Sequence, residues 1–292
     1  MLKKIPPLID LLLYGNLFIA GCASASVLQT FLIADAHPDW TYVLFVFFST
    51  LFLYNLQRIV LSNDYLKNPI SKRHSWILEN KTRLIVLSII GLCGSFLCIL
   101  FLGTKLFLIM LALGIISSFY FIPGIGLRKI PALKALLVSL VWAFAGVIVP
   151  SILNDTIGGG ITLYRYSVFL LFMERCFFIL SLCIVFNIRD IEHDSRSNVR
   201  TIPSIYGSKT GILAAVSGII ITGILSSLLF YQHCYTLSNF LAMLVSLAIT
   251  SAVIVSGYST NSRSNRSEFH YIFTIDGMIL LQAMLVCAFN FL

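Results

Sequence analysis

Apolar runs long enough to cross a membrane alternate with short polar stretches along the whole chain. About nine such runs of roughly 17–25 residues can be marked, each able to span a hydrocarbon core of about 30 Å. They cover 8–33, 40–61, 84–102, 106–122, 133–153, 163–186, 211–231, 237–258 and 271–292. The turn between the third and fourth, around Gly103, is very tight. The pattern predicts an all-α fold: a polytopic membrane protein, a bundle of about nine transmembrane helices in one domain spanning 1–292. The polar stretches after the second and sixth runs sit four helices apart. That spacing suggests two loosely related four-helix halves plus a last helix.

The charges orient this bundle. The N-terminus and the stretches after the second, fourth, sixth and eighth runs hold nearly every Lys and Arg: Lys67, Lys72, Arg73, Lys81 and Arg83, then Arg128, Lys129 and Lys134, then Arg189, Arg196, Arg200 and Lys209, then Arg263 and Arg266. The opposite stretches carry little beyond Lys105 and Arg165. By the positive-inside rule the N-terminus is cytoplasmic and the C-terminus outside. The even-numbered loops are also the polar ones, so any active face is cytoplasmic.

Composition agrees. Of 292 residues, 58% are hydrophobic and only 11% charged, and the mean hydropathy is +0.94; a soluble domain has no use for so much apolar surface. The formal net charge of +8 raises nucleic-acid binding as a possibility, but loop positions explain the basic residues more simply, so no nucleic-acid partner is expected. Lys3 and Lys4 precede a first run too long for a signal-peptide core and without a small-residue cleavage site, which predicts a retained helix. The seven cysteines lie mostly within apolar runs and form no CxxC pair, so they read as small buried hydrophobes.

The richest chemistry lies at 186–207, FNIRDIEHDSRSNVRTIPSIYG. Asp190 and Asp194 are four residues apart. If the sixth helix continues through them, both carboxylates share a face with Cβ atoms about 5–6 Å apart. Such a pair suits a hard divalent cation, which takes oxygen ligands and phosphate oxygens together. Arg189, Arg196 and Arg200 can contact phosphate oxygens. The alternative is that both carboxylates are solvated groups at a helix end.

The segment Asn187-Ile-Arg189-Asp190-Ile191-Glu192-His193-Asp194, followed by Arg200-Thr201-Ile202-Pro203 and Gly207, resembles the second aspartate-rich motif of UbiA-type membrane prenyltransferases. Tyr120, Pro123, Leu127, Arg128, Lys129, Pro131, Lys134 and Trp142 resemble that family's tyrosine-then-basic segment and its following helix. The resemblance implies an integral membrane protein, here of a bacterial inner membrane. It implies a polyprenyl diphosphate donor bound through Mg²⁺ and a lipophilic acceptor, aromatic or lipid, that captures the prenyl group. Asp190 and Asp194 then become the metal ligands and catalytic groups, with Asn187, Arg189, Arg200, Tyr120 and Lys129 as substrate-binding residues.

The chain departs from the family at the other half of the site. The first aspartate-rich motif, Asn-Asp-x-x-Asp-x-x-x-Asp, falls on Asn55, Leu56, Ile59 and Asn63, with Asp64 one residue out of register. Only Asn55 is kept, as a substrate-binding candidate, and a single Mg²⁺ site is the expectation. Arg58, one turn from Asn55, either replaces the charge of a lost metal as a catalytic group or is an interfacial snorkelling residue. Gly124 occupies the position of the family's lysine. The loss of three aspartates leaves two rivals: a non-catalytic isoprenoid-binding, lipid-binding or assembly protein of the same fold, and a small permease.

Other ionisable groups lie at membrane depth. Glu174 and Arg175 read as an interhelical pair, and Asp276 as a hydrated group near the cytoplasmic end. Asn16 either lines the central cavity as a substrate-binding residue or makes a plain interhelical hydrogen bond.

Overall fold

A computed structural model describes residues 7–62, 72–119, 133–153, 161–191, 201–259 and 270–290. Asp194, Arg200, Tyr120 and Lys129 lie outside the described residues. The described residues are helical throughout apart from short turns, with no strand among them. In chain order the helices are α1 (Pro7–Tyr14), α2 (Leu17–Ile33), α3 (Trp40–Val60), α4 (Lys72–Glu79), α5 (Lys81–Leu102), α6 (Thr104–Phe119), α7 (Leu133–Ala143), α8 (Val149–Leu153), α9 (Ile161–Arg189), α10 (Ile202–Tyr231), α11 (Leu237–Ser259) and α12 (Gly277–Asn290). A π-helical turn, Phe144–Ile148, joins α7 to α8, and a second, His270–Asp276, leads into α12.

Among the described residues seven helical stretches are long and apolar enough to cross a membrane, and α1 with α2, bent by 57° at their junction, makes an eighth if the two form one span. Helix α6 is apolar but only 16 residues long. The chain is an integral membrane protein of all-α fold. Within the bundle α9 is the central helix: 61% of its apolar window is buried, against 17% for α5, whose exposed Ile85, Ile89, Phe96 and Phe101 form a lipid-type face.

Local chemistry sets the helix ends that matter. Asp39 caps α3 by accepting a hydrogen bond from the Tyr42 backbone N–H at 3.0 Å. The tight turn expected at Gly103 is one residue deep, with φ at 80°, a conformation that favours glycine. The Thr201-Ile202-Pro203-Ser204 segment forms a capping box, Thr201 and Ser204 exchanging side-chain and backbone hydrogen bonds. The helix it starts is broken at once by Gly207, at φ 85°, so the basic-loop end of α10 is a single capped turn before the membrane span. Close approach is used between spans: a Cβ on Gly91 of α5 would lie 2.7 Å from the Phe52 backbone nitrogen of α3, the small-residue packing typical of membrane helices.

Glu174 and Arg175 do not pair across helices with one another. They are neighbours on α9, each 1% exposed, and they serve different partners. Glu174 accepts hydrogen bonds from Ser226 of α10 and from the Tyr235 hydroxyl, the latter at 2.6 Å. Arg175 donates to Ser26 at 2.9 Å and to Gln29, both on α2. Adjacent positions on a helix lie about 100° apart, so two consecutive side chains reach different neighbours. The pair ties the central helix to α10 and α2.

Candidate functional site

Several elements meet at the polar end of the bundle: the α1–α2 junction, the last turn of α3, the short helix α4, the end of α9 and the π-helical turn before α12. The junction is made by Asn16, whose backbone is left-handed at φ 63° and ψ 16°, a conformation asparagine tolerates better than most residues. Its side-chain amide donates to Asn55 Oδ1 at 3.0 Å. The Asn55 amide donates in turn to the carbonyls of Gly15 at 3.1 Å and Leu51 at 2.8 Å. Asn55 is 0% exposed and Asn16 5%. Both were candidates for substrate binding; in the structure they hydrogen-bond one another, the interhelical alternative for Asn16. Their polar atoms are spent on each other and on backbone that the bend would leave unpaired, so they lock α1, α2 and α3 together.

Helix α9 carries the second motif to its end. It runs to Arg189, and the Asp190 backbone N–H still donates to the Phe186 carbonyl at 3.1 Å. Asn187 is buried at 3% exposure. The Arg189 guanidinium grips both carboxylate oxygens of Asp190, Nε to Oδ1 at 2.7 Å and an Nη to Oδ2 at 3.0 Å. Its carbon lies 4.9 Å from the Phe186 ring centroid and 5.8 Å from that of Tyr271, a cation–π sandwich between α9 and the second π-helical turn. The side chains of Arg189 and Asp190 are 13% and 23% exposed, so the pair faces an opening.

Asp190 supplies the hard oxygen donors that Mg²⁺ takes, and each oxygen keeps a lone pair beyond its bond to Arg189. Among the described residues no three acidic, histidine or cysteine groups cluster around a single metal position. Asp194 is the partner that would complete the set.

The opposite wall comes from α3 and α4. Tyr54 and Arg58, four residues apart on α3, share one helix face, and Tyr54 and Trp142 of α7 pack against the same apolar core. Arg58 is half-buried. Its guanidinium, with those of Arg73 and Arg189, lies within electrostatic reach of one carboxylate, Asp276. Asp276 ends the second π-helical turn, a form of helix frequent at functional sites, and that turn packs against α2, α9 and α11.

Sequence reasoning missed the burial of Arg73 and His74. Helix α4 lies back on the bundle: Ile77 is buried with Leu61 and Leu84, Trp76 meets Tyr14 at 5.6 Å between ring centroids, and Arg73 and His74 are buried with it. The signal was present in Arg73-His-Ser-Trp76-Ile77, an amphipathic turn inside a loop read only for its charge.

No family model matches the chain. It is similar to a digeranylgeranylglyceryl phosphate synthase of Methanosphaera stadtmanae, 32% identical over 93 residues, or 32% of this chain. The match spans 33% of that relative's own length. Solved structures match from end to end. A UbiA homologue from Archaeoglobus fulgidus bound to GPP and Mg²⁺ superposes with a TM-score of 0.61 at 17% identity, covering 97% of this chain and 99% of that one. A UbiA homologue from Aeropyrum pernix K1 gives 0.61 at 14% identity over 93% and 96%. The chain therefore shares the fold of the solved UbiA homologues along nearly its whole length.

Proposed function

We propose that the chain is an intramembrane prenyltransferase. It moves a polyprenyl group from its diphosphate to an aromatic or lipid acceptor, at the cytoplasmic face of a bacterial inner membrane. The observation that supports this reading is the bidentate Arg189–Asp190 pair at the end of the central helix, at the polar end of the bundle where α3 also ends with Arg58. Cleavage of the allylic carbon–oxygen bond sends its electron pair onto the diphosphate, and preorganised guanidinium donors in a low-dielectric cavity stabilise that developing charge. The allylic group is captured by a nucleophilic carbon or oxygen of the acceptor, which loses a proton. The prenyl chain lies along the apolar walls between the spans.

Mg²⁺, held by Asp190 and Asp194, would neutralise further diphosphate charge when bound. Asn187, Arg200, Tyr120 and Lys129 complete the diphosphate and prenyl contacts. The Archaeoglobus fulgidus homologue bound to GPP or DMAPP with Mg²⁺ and the lipid-phosphate synthase among the relatives support donor and acceptor of these classes.

A second reading, a prenyl-lipid binder without catalysis, draws on one observation: Asn55, the residue kept from the first motif, is consumed in structural hydrogen bonds. Purified protein in nanodiscs, given radiolabelled geranylgeranyl diphosphate, Mg²⁺ and a panel of aromatic and glycerophosphate acceptors, separates the two. The enzyme releases diphosphate and forms labelled product. Tight donor binding without product on any acceptor favours the binder.

A further inference from the structure

We propose that Tyr271, at the entry to the last span, is a positioning residue for diphosphate binding: its ring holds the Arg189 guanidinium in the direction from which that side chain serves the site. This rests on the reading of the Arg189–Asp190 end of α9 as part of a diphosphate site. It adds a residue that neither aspartate-rich motif includes.

Half of the arrangement is local to α9. Phe186 stands three residues before Arg189, on the same helix face, and its ring centroid lies 4.9 Å from the guanidinium carbon. The other half comes from the far end of the chain, where the Tyr271 ring centroid lies 5.8 Å from the same carbon. Both rings pack against the apolar cluster that contains Phe178, Leu182 and Val185 of α9. The core therefore holds the rings, and the rings hold the cation.

The second π-helical turn, His270–Asp276, fixes where Tyr271 stands. Successive side chains fan out around a helix axis, and here each finds a different neighbour. Ile272 is buried with Leu13 and Tyr14 of α1. Phe273 stacks on Phe18 of α2 at 5.4 Å, and Ile275 joins the α9 cluster. Three helices pin the turn.

A guanidinium offers two kinds of surface. Its flat faces attract aromatic rings, and its in-plane N–H groups donate hydrogen bonds. Arg189 turns in-plane N–H groups to both oxygens of Asp190, at 2.7 and 3.0 Å. Ring contact can thus set the direction of the side chain without consuming the donors an anion needs. It also removes rotamer freedom that the long arginine chain would otherwise lose when a ligand binds.

The test is the affinity of the purified full chain for inorganic diphosphate, with Mg²⁺ present, in wild type, Tyr271→Leu, Tyr271→Phe and Phe273→Leu, each with its melting curve. Loss of one cation–π contact predicts weaker binding by Y271L, roughly two- to thirtyfold. Y271F keeps the ring and should bind within about twofold of wild type. F273L disturbs the same turn but leaves the ring beside Arg189; it should melt earlier and still bind within about twofold of wild type. Arg189→Gln gives a second check, read on geranylgeranyl diphosphate so that the apolar chain adds to the affinity: R189Q/Y271L should bind as R189Q does. The positioning role is overturned, and the diphosphate site left standing, by Y271L equal to wild type, by Y271F or F273L as weak as Y271L, or by the full Y271L loss recurring in R189Q. Failure of wild type to bind either diphosphate overturns both. Should Y271L not fold, Tyr271→Met replaces it in every comparison with the same expectations.

Discussion

Arg189 holds both carboxylate oxygens of its sequence neighbour Asp190, at 2.7 and 3.0 Å, at the point where the central helix leaves the bundle. A bidentate pair fixes the planes of both groups relative to one another, which a point charge cannot do. Arg189→Lys keeps the charge and loses the fork. We expect kcat/KM for the prenyl diphosphate to fall about 10- to 100-fold, the equivalent of the 1.5–3 kcal/mol carried by hydrogen bonds to charged groups. Thermal stability should change little, because both side chains are partly exposed. Steady-state kinetics with a melting curve in the same detergent check both halves.

The Asn16–Asn55 knot predicts the reverse. Asn55→Leu leaves the Gly15 carbonyl and the Asn16 amide without their partners in a dry site, at roughly 1–3 kcal/mol for each buried group stranded. The melting temperature should fall by several degrees. The KM of any variant that still folds should stay within a few-fold of wild type, since Asn55 presents no free polar atom to a ligand. A large KM change at unchanged stability would return Asn55 to the substrate site.

Glu174 tests the tie between the central helix and its neighbours. Glu174→Ala strands the Tyr235 hydroxyl and leaves Arg175 without its adjacent counter-charge, and breaking one side of a buried charged network costs about 3–5 kcal/mol. Glu174→Gln can still accept the Tyr235 hydrogen bond and should cost clearly less. Denaturant or thermal unfolding of the two variants side by side gives the ranking. Equal stability of the two would remove the network from the account.

The spans were legible because apolar length alone reports them, and the end of α9 because its polar residues follow the run without a break. The motif from Asn187 to Gly207 announced the fold, and its Thr201 and Pro203 proved to be the cap and first turn of α10. The bend at Gly15–Asn16 was hidden: it lies inside an apolar run, and only the left-handed backbone of Asn16 reveals it. Asn55 sat in register with a ligand position, yet register does not show where an amide spends its hydrogen bonds. Least legible was the gathering of Arg58, Arg73 and Arg189 at one polar end of the bundle. It joins helices far apart in sequence, and no local period encodes such contacts.

The central claim is that these cations form a diphosphate site. Its most direct test is the binding of geranylgeranyl diphosphate to the purified chain, with and without Mg²⁺, in wild type, Arg58→Gln, Asp190→Asn and Asp194→Asn. We expect micromolar or tighter binding by wild type, tightened by Mg²⁺, a loss of roughly tenfold or more in R58Q, and loss of the Mg²⁺ effect in D190N and D194N. Binding in R58Q, D190N and D194N indistinguishable from wild type, or no binding by wild type under either condition, would contradict it.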